Sequence, residues 1–129
     1  MVFDLNDLKV INDTQGHEAG DQYILDSCRL ICGLYAHSPV YRIGGDEFTV
    51  ILQGHDYNRR DELYRSFEKA VDENVQSGSP IVISSGMAIY DKGPDRSVEM
   101  VFERADENMY LRKKVLKEKA KFIVKQGRE

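Results

Sequence analysis

The sequence lacks any apolar run near the length of a membrane span, which takes about 20 consecutive apolar residues. Its first residues, Met1 to Asp4, have no feature of a secretion signal. Positive charge is not in excess: 18 lysines and arginines are interleaved with 22 aspartates and glutamates. Without a basic face, no nucleic-acid partner is expected. We expect a cytoplasmic domain without membrane contact of its own, which leaves open a membrane anchor elsewhere in a full-length protein.

Cysteine is scarce, and the two cysteines, Cys28 and Cys32, lie four residues apart on a predicted helix. A zinc site would need two further ligands, and His17 is the only histidine nearby. We therefore expect two buried, reduced thiols, which suit a reducing compartment.

Repeats, low-complexity tracts and internal linkers are also missing from the 129 residues. Apolar residues make up 41% of the chain and charged residues 31%, which are ordinary values for a soluble globular protein. A chain of this length can bury one sizeable core but not two. The sequence therefore predicts one domain.

Hydrophobic periodicity predicts the order β-α-β-β-α-β-α. The predicted elements are a strand ending at Asp4, a helical segment over 7–13, helices over 18–35 and 61–76, a hairpin over 39–52, a strand over 81–90, and a helix that Ser97 caps. Residues 54–58 and 91–96 are expected to be loops, and 122–124 a short edge strand. This order is typical of an α+β, ferredoxin-like fold (split βαβ), an antiparallel sheet with helices packed against it and the first strand central.

The tip of the predicted hairpin carries two glycines and two acids, Gly44-Gly45-Asp46-Glu47. Glycines let a ligand approach the backbone closely, and carboxylates are the hard oxygen ligands that divalent cations prefer. The expected topology brings Asp4 beside these acids. Three converging carboxylates repel one another unless cations lie among them, although acids at loop ends can also simply face water.

Four separated motifs carry a family resemblance. Gly44 to Phe48, after Arg42-Ile43, resembles the signature of the GGDEF family, the diguanylate cyclases. Residues 4–21 are similar to the family's second signature, and Ser85-Gly86 and the spaced residues over 105–113 follow in family order. The resemblance covers nearly the whole chain. It implies a fold like that of nucleotidyl cyclases and polymerase palms, and the condensation of two GTP into cyclic di-GMP plus pyrophosphate.

The resemblance also implies a role for each matched residue near the hairpin. Asp4, the Leu5 carbonyl, Asp46 and Glu47 would bind two Mg²⁺ or Mn²⁺ ions per GTP. Asp46 would be the general base, or the carboxylate holding a metal that replaces one. Glu47 would complete the metal shell or stabilise the reacting phosphate.

Other matched residues would bind the substrate GTP. Asn12 and Asp21 would read the guanine, although alone they could equally be a cap and a solvated helix residue. The remaining implied contacts are the backbone N–H groups of Asp7 and Leu8 and the side chains of Lys113 and Lys117 on the phosphates, with Gly44 and Gly45 beside the nucleotide. The role of Lys117 stays open, because it lies in a basic run over 112–121 of the kind that usually faces water.

The chain departs from the family pattern in several places. Asn6, Leu8 and Lys117 stand where aspartate, phenylalanine and arginine are usual. The Arg-x-x-Asp motif of the product-inhibition site is replaced by 35–38, Tyr-Ala-His-Ser, so no inhibitory site is expected. Family domains also carry a further segment before Asp4. We therefore expect residues 1–129 to be a GGDEF domain lacking its N-terminal helix and part of the first strand, with marginal stability, a tendency to strand exchange, and weak or no activity alone.

The leading interpretation is half of a diguanylate cyclase, because each domain would bind one GTP. Its partners would be a second GGDEF domain in an antiparallel homodimer, and sensory or regulatory domains in the full-length protein. The main alternative is a non-catalytic GGDEF module that binds GTP or regulates a partner domain. An unrelated ferredoxin-like interaction domain would make all four motifs coincidental.

Overall fold

A computed structural model gives the structure of residues 1–127. Its elements are β1 (Val2–Leu5), α1 (Leu8–Gln15), α2 (His17–Leu34), β2 (Val40–Ile43), β3 (Glu47–Val50), α3 (Gly54–Asn58), α4 (Arg60–Ser77), β4 (Ile83–Gly86) and α5 (Val98–Gly127). The α+β class and the helices packed against the sheet confirm the predicted fold. Within this part of the chain, no helix is both long and apolar enough to cross a membrane.

The four strands form one antiparallel sheet in the order β2-β3-β1-β4. As predicted, β1 is central and lies beside the hairpin. Asp4 pairs with Glu47 of β3 on one side and with Ser84 of β4 on the other. The antiparallel register therefore places the end of β1 against the tip of the β2–β3 hairpin.

The main core lies on the face of the sheet that α2 and α4 cover. The Phe3 ring is 6.0 Å from the Tyr35 ring and 5.0 Å from the Phe67 ring, the latter in an edge-to-face arrangement. All three side chains are buried. Truncation of such a ring to alanine costs about 3–5 kcal/mol, so this cluster anchors β1 between the helices.

Successive side chains of a strand point to opposite faces, so Val2 and Asp4 share the face opposite Phe3. There Val2 packs with Ala105 and Met109 of α5. A Cβ added at Gly86 of β4 would lie 2.0 Å from the Ala105 carbonyl oxygen. Glycine at this position thus lets the α5 backbone lie directly on β4.

The strand expected over 81–90 is shorter in the structure, where β4 covers only Ile83–Gly86. Its ladder runs from Val2 opposite Gly86 to Leu5 opposite Ile83. Each of the four residues of β1 thus pairs with one residue of β4.

The loop expected over 54–58 is wrong, because these residues form the short helix α3. Asp56 is buried there and accepts hydrogen bonds from the His37 N–H (2.9 Å) and the Ser38 hydroxyl (2.7 Å). This contact joins α3 to the segment after α2. Its partners lie about twenty residues away in the sequence, so local patterns do not reveal it.

The edge strand expected over 122–124 is also wrong, because α5 continues through it. Leu116 is fully buried and Ile123, two turns further, packs against the same core. Lys119 on this helix donates to Asp72 of α4 at 3.1 Å. The apolar stripe and this tie to α4 outweigh the local β-propensity of a Phe-Ile-Val run.

The expectation of two buried thiols is wrong as well. Ser27 and Ile31 lie on the buried stripe of α2. Cys28 comes one position after Ser27, and Cys32 comes one position after Ile31. A helix turns about 100° per residue, so the thiols lie on the flank of that stripe. Cys28 is half-buried and Cys32 is exposed.

Candidate functional site

Three carboxylates meet where β1 ends against the hairpin. Asp4 and Glu47 are directly opposite each other on the β1–β3 ladder. The Leu5 N–H donates to the Asp46 carbonyl oxygen at 2.9 Å, which ties the strand end to the hairpin tip. Asp4 and Glu47 are half-buried and Asp46 is exposed. The strand register thus brings the predicted acids together.

The crowding of these acids shifts their proton affinities. Burial raises the pKa of Asp4, Lys113 opposes that rise, and Asp46 adds to it. Burial also raises the pKa of Glu47, with further contributions from Asp4, Asp106 and Asp46. Asp4 Oδ1 is buried and has no hydrogen-bond partner among the described residues. The site therefore holds more negative charge than its surroundings neutralise.

Lys113 is the cation that meets this cluster. Its Nζ lies 3.2 Å from Asp4 Oδ2, and the two side chains are 27% and 13% exposed. This ion pair joins α5 to the central strand. Lys117 lies one helical turn further and is exposed.

The turn before Asp46 leaves its backbone open. Gly44 has φ 77°, a left-handed conformation that favours glycine. A Cβ added at Gly44 or Gly45 would meet no atom within 4 Å. The Arg42 guanidinium donates to the Gly45 carbonyl oxygen at 3.0 Å and braces the turn. A bulky ligand can therefore approach the main chain here.

The N-terminus of α1 follows directly after β1. Asp7 takes the left-handed conformation (φ 60°), and its side chain does not cap the helix. The first N–H groups of an α-helix have no partner within the helix and carry partial positive charge. The Leu8 end of α1 is therefore suited to an anion such as phosphate.

The α1–α2 corner brings Asn12 and Asp21 to one place. Gly16 joins the two helices with φ 94° and ψ 165°, a conformation almost confined to glycine. Asn12 Oδ1 lies over Gly20, where an added Cβ would be only 1.7 Å from it. Asp21 is the next residue and is exposed. Asn12 thus lies beside the residue that precedes Asp21 in the chain.

The family model described as "Diguanylate cyclase, GGDEF domain" matches residues 1–119. The chain belongs to the GGDEF family. The match includes the end of β1, the hairpin tip, the α1–α2 corner and Lys113, and it confirms the expected family.

Curated relatives of this GGDEF domain are diguanylate cyclases by name. The diguanylate cyclase DosC of Escherichia coli strain K12 is 31% identical over 120 residues, which cover 88% of this chain and 26% of DosC. The probable diguanylate cyclase DgcI of the same strain is 33% identical over 115 residues, covering 88% of this chain and 25% of DgcI. The chain therefore spans about a quarter of the length of these relatives.

A solved structure shares the fold. It contains a microbial GGDEF domain and is described as a novel interaction mode with bis-(3′,5′)-cyclic di-GMP. The TM-score is 0.60 at 30% identity, covering 87% of this chain and 69% of the other. The likeness confirms the antiparallel GGDEF sheet with its packed helices.

The donor set of the GGDEF site fits a hard divalent cation. Carboxylate oxygens are the preferred ligands of Mg²⁺, and the buried Asp4 Oδ1 has no hydrogen-bond partner within the described part of the chain. Among residues 1–127, no group of three or more His, Cys, Asp or Glu side chains is already close enough to hold a metal ion. The carboxylates therefore lie near one another without forming a closed metal-binding site. Lys113 neutralises part of the negative charge of Asp4.

Sequence reasoning missed a fourth acid, Asp106 of α5. It contributes to the raised pKa of Glu47. Asp106 and Lys113 are two helical turns apart, so they share one face of α5. That spacing was the available signal, since both belong to the same family motif.

It also missed the polar contacts that brace the loop after β1. The Ser84 hydroxyl donates to the buried Asn6 Oδ1 at 2.7 Å. The Tyr23 hydroxyl donates to the Val82 carbonyl oxygen at 2.5 Å and lies 3.0 Å from the Asn6 carbonyl oxygen. Tyr23 falls on the apolar stripe of α2, so its sequence position predicts only a core residue.

Proposed function

We propose that this GGDEF domain is the catalytic half of a diguanylate cyclase, which condenses two GTP into cyclic di-GMP and two pyrophosphates. One observation carries the proposal: the carboxylates of Asp4, Asp46 and Glu47 crowd beside an open glycine turn, with raised pKa values for Asp4 and Glu47. Homology to diguanylate cyclases supports it.

Asp4, the Leu5 carbonyl, Asp46 and Glu47 are the residues that would hold two Mg²⁺ or Mn²⁺ ions per GTP. Bound there, the ions would neutralise triphosphate charge and lower the pKa of a ribose 3′-hydroxyl. Asp46 is exposed at the hairpin tip and is our candidate to accept the proton of that hydroxyl, either directly or by holding the ion that makes it acidic. Glu47 would complete the metal shell or stabilise the reacting phosphate.

The proposed reaction requires two domains, each of which binds one GTP. Each ribose 3′-oxygen attacks the α-phosphate of the other GTP, a new P–O bond forms, and pyrophosphate leaves. The free N–H groups at the start of α1 and the Lys113 ammonium hold the β- and γ-phosphates in place. Positioning and charge neutralisation then supply most of the rate enhancement. A second GGDEF domain, facing the first antiparallel, supplies the other GTP.

Asn12 and Asp21 give the preference for guanine. A carboxylate accepts from both N1–H and the exocyclic amine of guanine, and an amide both donates and accepts. A base that lacks these donors leaves the protein groups unpaired, which lowers its affinity. Because GTP is a cytoplasmic substrate, we place the domain in the cytoplasm, under sensory or regulatory domains of a longer protein.

The proposal is tested by measuring GTP binding and cyclic di-GMP formation in the same sample. GTP and Mg²⁺ are titrated into the domain, and cyclic di-GMP is quantified by chromatography. Product that disappears in Asp46→Ala supports the cyclase. Binding without product supports the alternative, a GGDEF module that binds GTP or regulates a partner domain.

A further inference from the structure

A tyrosine of α2 contacts the loop that joins β1 to α1. The buried Tyr23 hydroxyl donates to the Val82 carbonyl oxygen at 2.5 Å and lies 3.0 Å from the Asn6 carbonyl oxygen. It also accepts a hydrogen bond from the Val82 N–H at 3.2 Å. Burial raises the pKa of Tyr23, so the hydroxyl keeps its proton at neutral pH and remains a donor. One side chain thus joins α2 both to the loop after β1 and to the segment before β4.

Asn6 is the residue of this loop that the surrounding contacts hold. Its N–H donates to the Val82 carbonyl oxygen at 2.9 Å, and its Oδ1 accepts from the Ser84 hydroxyl at 2.7 Å. Asn6 and Ser84 are 4% and 0% exposed. Because a buried polar group left unpaired is costly, these hydrogen bonds favour a single conformation of the loop. Both the main chain and the side chain of Asn6 are therefore fixed.

Asn6 lies within the stretch of backbone that the proposed nucleotide site uses. The Leu5 carbonyl, a candidate metal ligand, comes before it, and the Asp7 and Leu8 N–H groups, candidates to bind phosphate, come after it. Asp7 has φ 60°, a left-handed conformation that is strained for a residue with a side chain. Such a conformation persists only where the surrounding structure enforces it. The hydrogen bonds at Asn6 therefore fix the direction of the backbone groups on either side.

We propose that Tyr23, Asn6 and Ser84 are positioning residues, which orient the backbone groups of residues 5–8 toward the triphosphate of GTP and its metal ions. This inference rests on the proposed function, because it assigns the three residues to the same nucleotide site. None of them is among the predicted ligands of the metal or of GTP. The network acts on the phosphate end of the nucleotide, whereas the proposed guanine contacts come from other residues of α1 and α2.

The experiment compares the affinities of the domain for the 3′-deoxy forms of GTP and GMP, measured by calorimetry with Mg²⁺. Both ligands lack the attacking hydroxyl, so no product forms, and they differ only in the β- and γ-phosphates. We expect Tyr23→Phe and Ser84→Ala each to weaken binding of the triphosphate by roughly 10-fold, the lower end of the range for residues that orient metal ligands. Binding of the monophosphate should stay nearly unchanged, because it lacks the phosphates that the loop would hold.

Hydrogen exchange of the metal-free protein tests the loop without any nucleotide. The Leu5 and Asn6 amide protons are hydrogen-bonded in the wild type and should exchange faster in both variants. Tyr64→Phe is the matched control, since the Tyr64 hydroxyl donates to the carbonyl oxygen of Ser85, opposite Phe3 on β1. It should alter neither the relative affinities nor the exchange of these two protons. Thermal unfolding verifies that every variant is folded.

The two measurements distinguish a failure of the positioning role from a failure of the proposed function. Equal changes in the affinities for triphosphate and monophosphate, or exchange at Leu5 and Asn6 as slow as in the wild type, would overturn the positioning role. A wild type that binds the triphosphate no more tightly than the monophosphate would overturn the proposed function as well.

Discussion

At the scale of single residues, Asp4 connects the parts of the site. It faces Glu47 across the ladder, receives Lys113 at 3.2 Å, and keeps one buried oxygen without a partner among the described residues. A buried, under-neutralised carboxylate lowers stability in the absence of a cation. The same arrangement would give a bound cation its ligands, so the proposed metal site would lower the stability of the metal-free domain.

Glu47→Gln is therefore expected to stabilise the metal-free domain by roughly 0.2–1 kcal/mol at neutral pH, because it removes a like charge opposite Asp4. The raised pKa of Glu47 sets the sign. The folded state holds its proton more tightly, so wild-type stability falls as pH rises through the ordinary glutamate pKa and the raised value. The stability gain of Glu47→Gln over the wild type should become smaller at pH values below that range.

Urea unfolding without divalent metal, at neutral and acidic pH, measures this difference. Glu73→Gln, at an exposed glutamate of α4, is the matched control and should change little. A less stable Glu47→Gln, or a gain of equal size at every pH, would contradict the electrostatic interpretation.

Gly20→Ala should change the selectivity for guanine while leaving the stability of the domain nearly unchanged. Its Cβ would lie 1.7 Å from Asn12 Oδ1, so the Asn12 side chain must move. Alanine also favours the helix by up to about 1 kcal/mol, which offsets the local strain. We expect a smaller preference for GTP over ATP with little loss of stability, measured by calorimetry and thermal unfolding.

Gly33→Ala is the control for this variant, since it adds the same methyl group on the same helix with no atom within 4 Å. It should stabilise the domain and leave nucleotide preference unchanged. An unaltered GTP preference in Gly20→Ala would argue against guanine reading by Asn12.

At the scale of elements, the position of α5 on β4 sets the reach of Lys113. Ala105 and Met109 pack on the sheet, and Lys113 follows one turn later to meet Asp4. The contact depends on the missing side chain of Gly86. Any displacement of α5 would move Lys113 away from the carboxylates.

Gly86→Ala should therefore be destabilising by about 1–3 kcal/mol, as expected for overpacking. Its Cβ would lie 2.0 Å from the Ala105 carbonyl oxygen and 2.4 Å from the Met109 backbone nitrogen. Backbone atoms of a packed helix cannot rotate away as a side chain can. Chemical denaturation should show a lower midpoint than for Gly33→Ala, and an unchanged midpoint would mean that α5 shifts freely.

The elements that the sequence predicts well are those with strong local periodicity. The helices α2 and α4 and the β2–β3 hairpin lie within a few residues of the expected ranges. The segment 122–124 departs from its prediction because its β-branched residues favour a strand locally, whereas Ile123 packs into the core as part of a helix. The helix α3 depends on buried Asp56, whose hydrogen bonds cross from another segment.

Within the site, too, local sequence predicts some features, whereas others depend on contacts between distant parts of the chain. The acids and Lys113 could be named from motifs, and the strand register brings them together. The hydrogen bond from Tyr23 to Val82 joins residues 59 positions apart, so only the folded chain reveals it. Motifs thus identify the candidate residues, while long-range contacts decide how these residues are held.

At the scale of the whole molecule, the segment 35–38 bears on regulation. The His37 N–H and the Ser38 hydroxyl are both committed to Asp56. Neither residue supplies the guanidinium or carboxylate of an Arg-x-x-Asp site, whose bidentate geometry suits phosphate. We expect calorimetry to detect no tight binding of cyclic di-GMP to this surface. The expectation would be refuted by saturable binding that becomes weaker in His37→Ala or Ser38→Ala.

The whole molecule also supplies only half of the proposed reaction. One domain would supply one carboxylate cluster and one proposed guanine site, and the proposed reaction needs two GTP for each product. Activity should therefore rise more steeply than in proportion to protein concentration until the dimer saturates. Strict proportionality at low concentration would point instead to a stable dimer or to a different reaction.

The most direct test of the central claim is the rate of cyclic di-GMP formation from GTP and Mg²⁺ by the wild type and by Asp46→Asn. Asp61→Asn, at an exposed aspartate in the first turn of α4, serves as the control. We predict product from the wild type and the control, and a loss of at least about 10²-fold in Asp46→Asn, the range of general-base catalysis. Equal rates in Asp46→Asn, or GTP binding without product in the wild type, would contradict a catalytic site at the hairpin tip.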